Sequence, residues 1–158
     1  MNIYSLLVAS LTSLLIGFVW YNPKIFGTIW MRESGIKFDP ENKPNMLKMI
    51  LIHFICAFFI AILLRFLVIH QTGALAMIGG DVSNATPTFT AFMDEYGTVF
   101  RTFKHGALHG TLTGILFVLP LFSITAMYEG KSFKYVLVNS GYWTISLGVM
   151  GGIICAWI

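Results

Sequence analysis

Residues 20–30 read WYNPKIFGTIW, and they close a segment, residues 3–21, that holds no Lys, Arg, Asp or Glu. A cleaved leader, a buried helix of a soluble domain and a membrane span would each leave such a segment differently. A signal peptide carries basic residues ahead of its apolar run and small residues after it. Here the first five residues, MNIYS, hold no Lys or Arg, and a bulky Trp-Tyr-Asn-Pro stands where cleavage would fall. A membrane exit accounts for all of it. Trp20 and Tyr21 suit the interfacial aromatic belt, and Asn22 caps a short helix with Pro23 at its first position. That helix carries Ile25, Phe26, Ile29 and Trp30 toward the bilayer until Gly35 ends it.

Composition agrees with a membrane setting. Of 158 residues, 56% are hydrophobic and 11% charged, against about 25% charged in a soluble domain. So few charges could not cover a water-exposed surface, and the length suits one domain. Four windows are long and apolar enough to cross a bilayer: residues 3–21, 46–70, 104–127 and 133–157. A backbone in hydrocarbon must satisfy its own hydrogen bonds. The expected fold is therefore all-α, an integral membrane four-helix bundle forming a single membrane domain, residues 1–158. Short interfacial helices are predicted at about residues 23–34 and 87–103. The second rests on Phe89, Phe92, Met93, Tyr96, Phe100 and Phe103 at three/four spacing, opposite Asp94, Glu95, Thr98 and Arg101.

The net charge of +3 is small, and its distribution speaks to orientation rather than to nucleic-acid binding. Seven basic residues flank the first and third loops: Lys24, Arg32, Lys37, Lys43, Lys48, Lys131 and Lys134. Two, Arg101 and Lys104, lie on the other side. The positive-inside rule then predicts both termini external. Cys56 and Cys155 each sit in an apolar run, without CxxC or zinc spacing, and read as inert thiols.

Small residues recur at steps of four in every span, and such stripes let membrane helices approach closely: Ser5, Ala9, Ser13 and Gly17; Ala57 and Ala61; Gly106, Gly110 and Gly114; Ser140, Thr144, Gly148, Gly152 and Ala156. Pro120 is expected to disturb the third span, because its ring removes a backbone donor. Ser132 is placed to cap the fourth.

Ionisable residues inside a membrane are functional candidates by default. Arg65, His70, His105 and His109 are predicted to gather near the external surface. There they would bind a divalent metal, take up protons, hold an anion or headgroup, or simply sit at the interface with Arg65 snorkelling. A metal on His70, His105 and His109 is one alternative, against which the positive charge of Arg65 weighs. His53, Asn139 and Tyr142 are buried polar candidates for a pocket, with Thr113 a further lining residue. Glu129 is expected to fix the last turn or pair with Lys131 or Lys134. No GxSxG, HExxH, Walker or GxGxxG arrangement occurs, so no catalytic residue and no cofactor is indicated.

Three stretches, GFVWYNPKIFGTIWM at 17–31, FKHGALHG at 103–110 and YEGKSFKYVLVNSGYWTISLGVMGGIICAW at 128–157, resemble a bacterial membrane family known as domain of unknown function 1761. The resemblance marks Trp20, Tyr21, Pro23, Phe26, Gly27, Trp30, His105, Gly106, Glu129, Ser132, Asn139, Gly141, Tyr142, Gly151 and Trp157. His109 falls outside the pattern. What the resemblance implies is a small four-span protein of a bacterial cytoplasmic (inner) membrane, and it supplies no reaction. The expectation is an accessory subunit or a small-solute or lipid binding or transport module, alone in the lipid bilayer, as a homo-oligomer or in a larger membrane complex. The competing expectation is a metal-binding protein or membrane enzyme built on the external histidines.

Overall fold

The computed structural model describes residues 2–36, 41 and 43–158. Lys37, one of the seven basic residues counted above, lies outside them. Helix α1 (Ile3–Trp20) starts on the Asn2 side chain, which accepts from the Tyr4 amide. A single π-helical turn (Pro23–Gly27) leads into α2 (Thr28–Ser34), which stops at Gly35 in the left-handed conformation, φ 74°. Gly27 is obligatory here, since a Cβ would collide with the Tyr21 carbonyl. The second span is α3 (Met46–Val68), capped by Asn45. Two short helices follow, α4 (Gln71–Met77) and α5 (Pro87–Tyr96). The third span joins α6 (Phe103–Thr113), a π-helical turn (Gly114–Val118) and α7 (Leu119–Tyr128) into one run of 26 residues. The wide turn stands just ahead of Pro120, where it accommodates the ring and the missing N–H. Helix α8 (Phe133–Ala156) closes the bundle from its Ser132 cap.

The molecule is all-α, with four helices long and apolar enough to span a bilayer among the described residues. Helix α8 runs through the middle, and α1, α3 and α6 pack around it. Hydropathy follows position. The enclosed α8 has a mean hydropathy of 1.2 over its best window, whereas α3, mostly facing outward, reaches 2.6. A helix among helices can carry Ser, Thr and Asn, but one facing lipid cannot. Phe59, Leu63, Leu116 and Phe117 stand more than 60% exposed, a surface that only lipid or another apolar face would cover. This is a multi-pass membrane protein.

Glycine brings α6 against α8. A Cβ on Gly106 would strike the Gly151 carbonyl, one on Gly110 the Leu147 carbonyl, and one on Gly114 the Thr144 backbone. Ala57 and Ala61 of α3, and Leu6, Ala9, Ser10 and Ser13 of α1, are buried almost completely.

Loops one and three meet at one end of the bundle. Lys131 Nζ donates to the Ser34 carbonyl at 2.7 Å, and Ser132 Oγ donates to Glu33 at 2.5 Å. Arg32 pairs with the same carboxylate at 2.8 Å. The Ser132 hydroxyl first, and then Arg32, hold Glu33 below the usual carboxylate range. The expected pairing of Glu129 with Lys131 or Lys134 is not made. Lys131 is drawn away to α2, and the carboxylate that organises the hairpin is Glu33.

At the other end Arg101 donates from Nε to the Cys155 carbonyl (2.8 Å) and from Nη2 to the Trp157 carbonyl (2.6 Å). These are orphan acceptors at the end of α8. Helix α5 ends at Tyr96 rather than running on to Phe103. The reason is Gln71, whose buried amide donates to the Tyr96 and Val99 carbonyls at 2.7 and 2.9 Å. The Tyr96 carbonyl also accepts from the Val99 amide at 3.1 Å, so the bridge fixes a tight turn here, and Phe100 turns the chain with φ 63°.

Candidate functional site

Two groups of polar side chains stand out, one at each end of the bundle. The first lines a cleft of about 420 Å3 between α1, α2, α3 and α8. Its outer wall is Phe18, Met46 and Met49, all exposed on the surface of the spans. Its inner wall holds Tyr21, Trp30, His53, Asn139, Tyr142 and Trp143. Asn139 and Tyr142 are 7% and 3% exposed.

The polar atoms of the cleft are linked. Tyr142 Oη donates to the Ser13 carbonyl at 3.1 Å, and Ser13 Oγ donates to the Ser10 carbonyl at 2.7 Å. His53 Nε2 stands 3.2 Å from that Ser13 hydroxyl and 3.3 Å from Tyr142 Oη. Both hydroxyls also donate to backbone carbonyls, so one imidazole nitrogen is tied into a network that joins α1, α3 and α8. Trp143 lies parallel to the His53 ring, 6.2 Å away and tilted by 7°. Tyr21 Oη donates to Asn139 Oδ1 at 3.1 Å, and Asn139 Nδ2 donates to the Tyr135 carbonyl at 2.8 Å. Burial is the first cause that pushes the Tyr21 phenol well up, followed by the Tyr142 and Tyr135 hydroxyls. Tyr21 therefore stays a neutral donor.

The stretch that opened the sequence builds the wall of this cleft. Tyr21 meets Trp30 edge-on (5.3 Å between centroids) and Tyr142 at 5.2 Å. Trp20 turns outward over Phe26 at 4.3 Å and donates from Nε1 to the Val138 carbonyl at 3.0 Å. Its ring fits because Gly141 has no Cβ. Pro23 starts the π-helical turn and Gly27 ends it. His53, Asn139 and Tyr142 thus come together, but Thr113 does not join them. It bonds back to the His109 carbonyl at 2.8 Å within its own helix.

The second group is His70, His105 and His109. One ligating nitrogen from each lies within 4.8 Å of the others. His105 Nε2 and His70 Nε2 are 2.9 Å apart, and the ring centroids are separated by 4.5 to 5.2 Å. His105 and His109 share a face of α6 at i, i+4, while His70 stands just beyond α3, where extended Ile69 (ψ 99°) swings the chain over. Three imidazoles of this kind are able to hold a metal ion.

Arg65 does not belong to this group. It lines a separate cavity of about 470 Å3 with Asn2, Ser5, Gln71, Arg101 and Trp157, and none of the three histidines borders it. Its guanidinium lies over the Phe66 ring at 5.7 Å. The helical phase of α3 continues from Ala57 and Ala61 through Arg65, whereas the break at Ile69 resets the direction for His70.

Sequence reasoning did not single out Ser13 and Trp143 for the cleft, or Gln71 and Arg101 as braces. Ser13 was read only as a small residue, and no local pattern marks the other three. Their partners lie 25 or more positions away in the chain.

A family model described as "Protein of unknown function (DUF1761)" matches residues 4–155. Neither a curated protein nor a solved structure matches the chain.

Proposed function

The chain belongs to the DUF1761 family of proteins of unknown function, and we propose that it is a binding module for a membrane amphiphile, a lipid or a lipid-like solute. The observation that carries this reading is the cleft. Polar groups from α3, α8 and the first exit turn converge at the inner end of an opening whose outer wall is apolar. Binding sites for small molecules combine an apolar lining with a few placed polar groups in this way. An acyl chain or apolar ring system would lie against Phe18, Met46 and Met49, while a polar head would meet His53 and the Asn139–Tyr21 pair. Methionines adapt to varied shapes, which suits a ligand drawn from lipid. The hydroxyls nearest His53, those of Ser13 and Tyr142, are each bonded to a backbone carbonyl, an arrangement that favours binding or handing on over conversion.

The proposed setting is a bacterial cytoplasmic membrane with both termini external. Support comes from the joined ends of loops one and three, which collect Arg32, Lys131 and Lys134 at one pole.

Binding of phospholipids, fatty acids and prenylated aromatics to the purified protein tests the proposal, by native mass spectrometry and by shifts in Tm. At least one class should raise the Tm of the unaltered chain. Gly17→Leu should abolish that shift by filling the cleft, since a Cβ there already lies 3.5 Å from the Tyr142 ring. Tyr142→Phe should weaken binding roughly 10-fold, about 1.4 kcal/mol. A flat Tm across the panel with no co-purifying amphiphile rejects the reading.

A further inference from the structure

The trihistidine cluster lies at the opposite pole from the cleft and has no part in it. Its arrangement asks for a partner that the protein itself does not provide. His105 and His109 project from successive turns of α6, and His70 reaches them from the corner between α3 and α4. The 2.9 Å approach of two Nε2 atoms satisfies one nitrogen of each ring. The His109 ring nitrogens make no hydrogen bond among the described residues, and its ring only packs against the other two.

Metal geometry fits these positions. A tetrahedral ion bound about 2.0–2.1 Å from each nitrogen holds ligand atoms about 3.3 Å apart. The shortest pair is slightly closer than that, and the widest lies within 4.8 Å. Rotation of the imidazoles by roughly an ångström closes the set without moving the backbone. His70 is exposed to solvent, so water reaches the remaining position, as in zinc sites with three protein ligands.

The surroundings hold the rings in place, and one cation, Lys104, lines the same surface opening as His105. Phe100, turned with φ 63°, stacks on His105 at 4.9 Å and 18°. Next to His70, Gln71 grips the Tyr96 and Val99 carbonyls, which ties the corner to the turn that carries Phe100. Arg101 is occupied at the end of α8, and Arg65 faces another cavity. Supports of this kind around ligating histidines set their orientation.

We propose that His70, His105 and His109 bind one divalent first-row transition-metal ion through three imidazole nitrogens, with solvent completing the coordination. Imidazole suits zinc, copper, nickel and cobalt alike.

The test uses full-length protein carrying a tag without histidine and stripped with chelator. Zn2+ is titrated by calorimetry, metal content is measured after gel filtration, and Co2+ is added to follow its visible d–d absorption. One ion per chain is expected, with a tetrahedral or five-coordinate cobalt spectrum. His70→Ala, His105→Ala and His109→Ala should each weaken binding by roughly 100-fold, the upper end of what loss of even an outer-shell partner costs. His70→Gln and His109→Gln stand in for any alanine variant that is not monodisperse. His53→Ala removes an imidazole at the other pole and should leave metal uptake unchanged, so this site and the amphiphile cleft can fail independently. Absence of stoichiometric uptake at micromolar metal, or uptake that survives loss of His70 or His109, overturns the proposal.

Discussion

At the end of α8 two backbone carbonyls, those of Cys155 and Trp157, terminate on the single guanidinium of Arg101. The sequence placed Arg101 on the polar face of an interfacial helix, one of two basic residues counted on the side opposite the first and third loops. Its actual role is a C-cap supplied from 54 positions away. Hydrogen bonds from charged donors contribute about 1.5–3 kcal/mol each, and partial exposure reduces that. Arg101→Ala is therefore expected to destabilise the fold by about 1–3 kcal/mol, read as a lower Tm in detergent. Arg101→Lys should restore little, because one ammonium does not reproduce the two-pronged donor. Arg65 teaches the complementary lesson. Sequence distance put it with His70, five residues on, yet one extended residue at Ile69 takes His70 away from the cavity that Arg65 lines.

Helix contacts were more readable. The GxxxGxxxG ridge at Gly106, Gly110 and Gly114 identifies the face of α6 that meets a neighbour, and the structure sets it against Thr144, Leu147 and Gly151 of α8. Periodicity marks such a ridge because residues four apart share a face, but it does not name the partner helix. Gly110→Leu drives a side chain into the Leu147 backbone, which has no flexible end to yield. A loss of about 1–3 kcal/mol or more is expected from overpacking, and Leu112→Ala on the exposed face of the same helix should cost far less. Unfolding midpoints in mixed micelles compare the two. The end of α5 was hidden, since the aromatic spacing runs on past Tyr96. What stops the helix is Gln71, a residue of another element.

For the whole molecule, the joining of loops one and three through Lys131, Ser132, Ser34 and Glu33 means that one membrane face carries both. Lys134→Cys should then be shielded from an impermeant thiol reagent in intact cells, whereas Val82→Cys, 64% exposed in the second loop, should be labelled. The unsubstituted chain is the blank, because Cys155 is buried and Cys56 lies on the surface of the α3 span. The reverse labelling pattern would invert the proposed orientation.

The four spans, the membrane exit at WYNPKIFGTIW and the gluing stripes are properties of local composition and helical period. Solvent transfer and backbone hydrogen bonding act on each segment wherever its neighbours lie, so the sequence by itself determined them. Tertiary structure alone decided that Tyr21 and Asn139, 118 positions apart, share one hydrogen bond, and that three imidazoles meet without Arg65. The reason is geometric. A site depends on which helix faces meet and on how the chain is turned at Ile69 and Phe100, and neither is written in the period of any single segment.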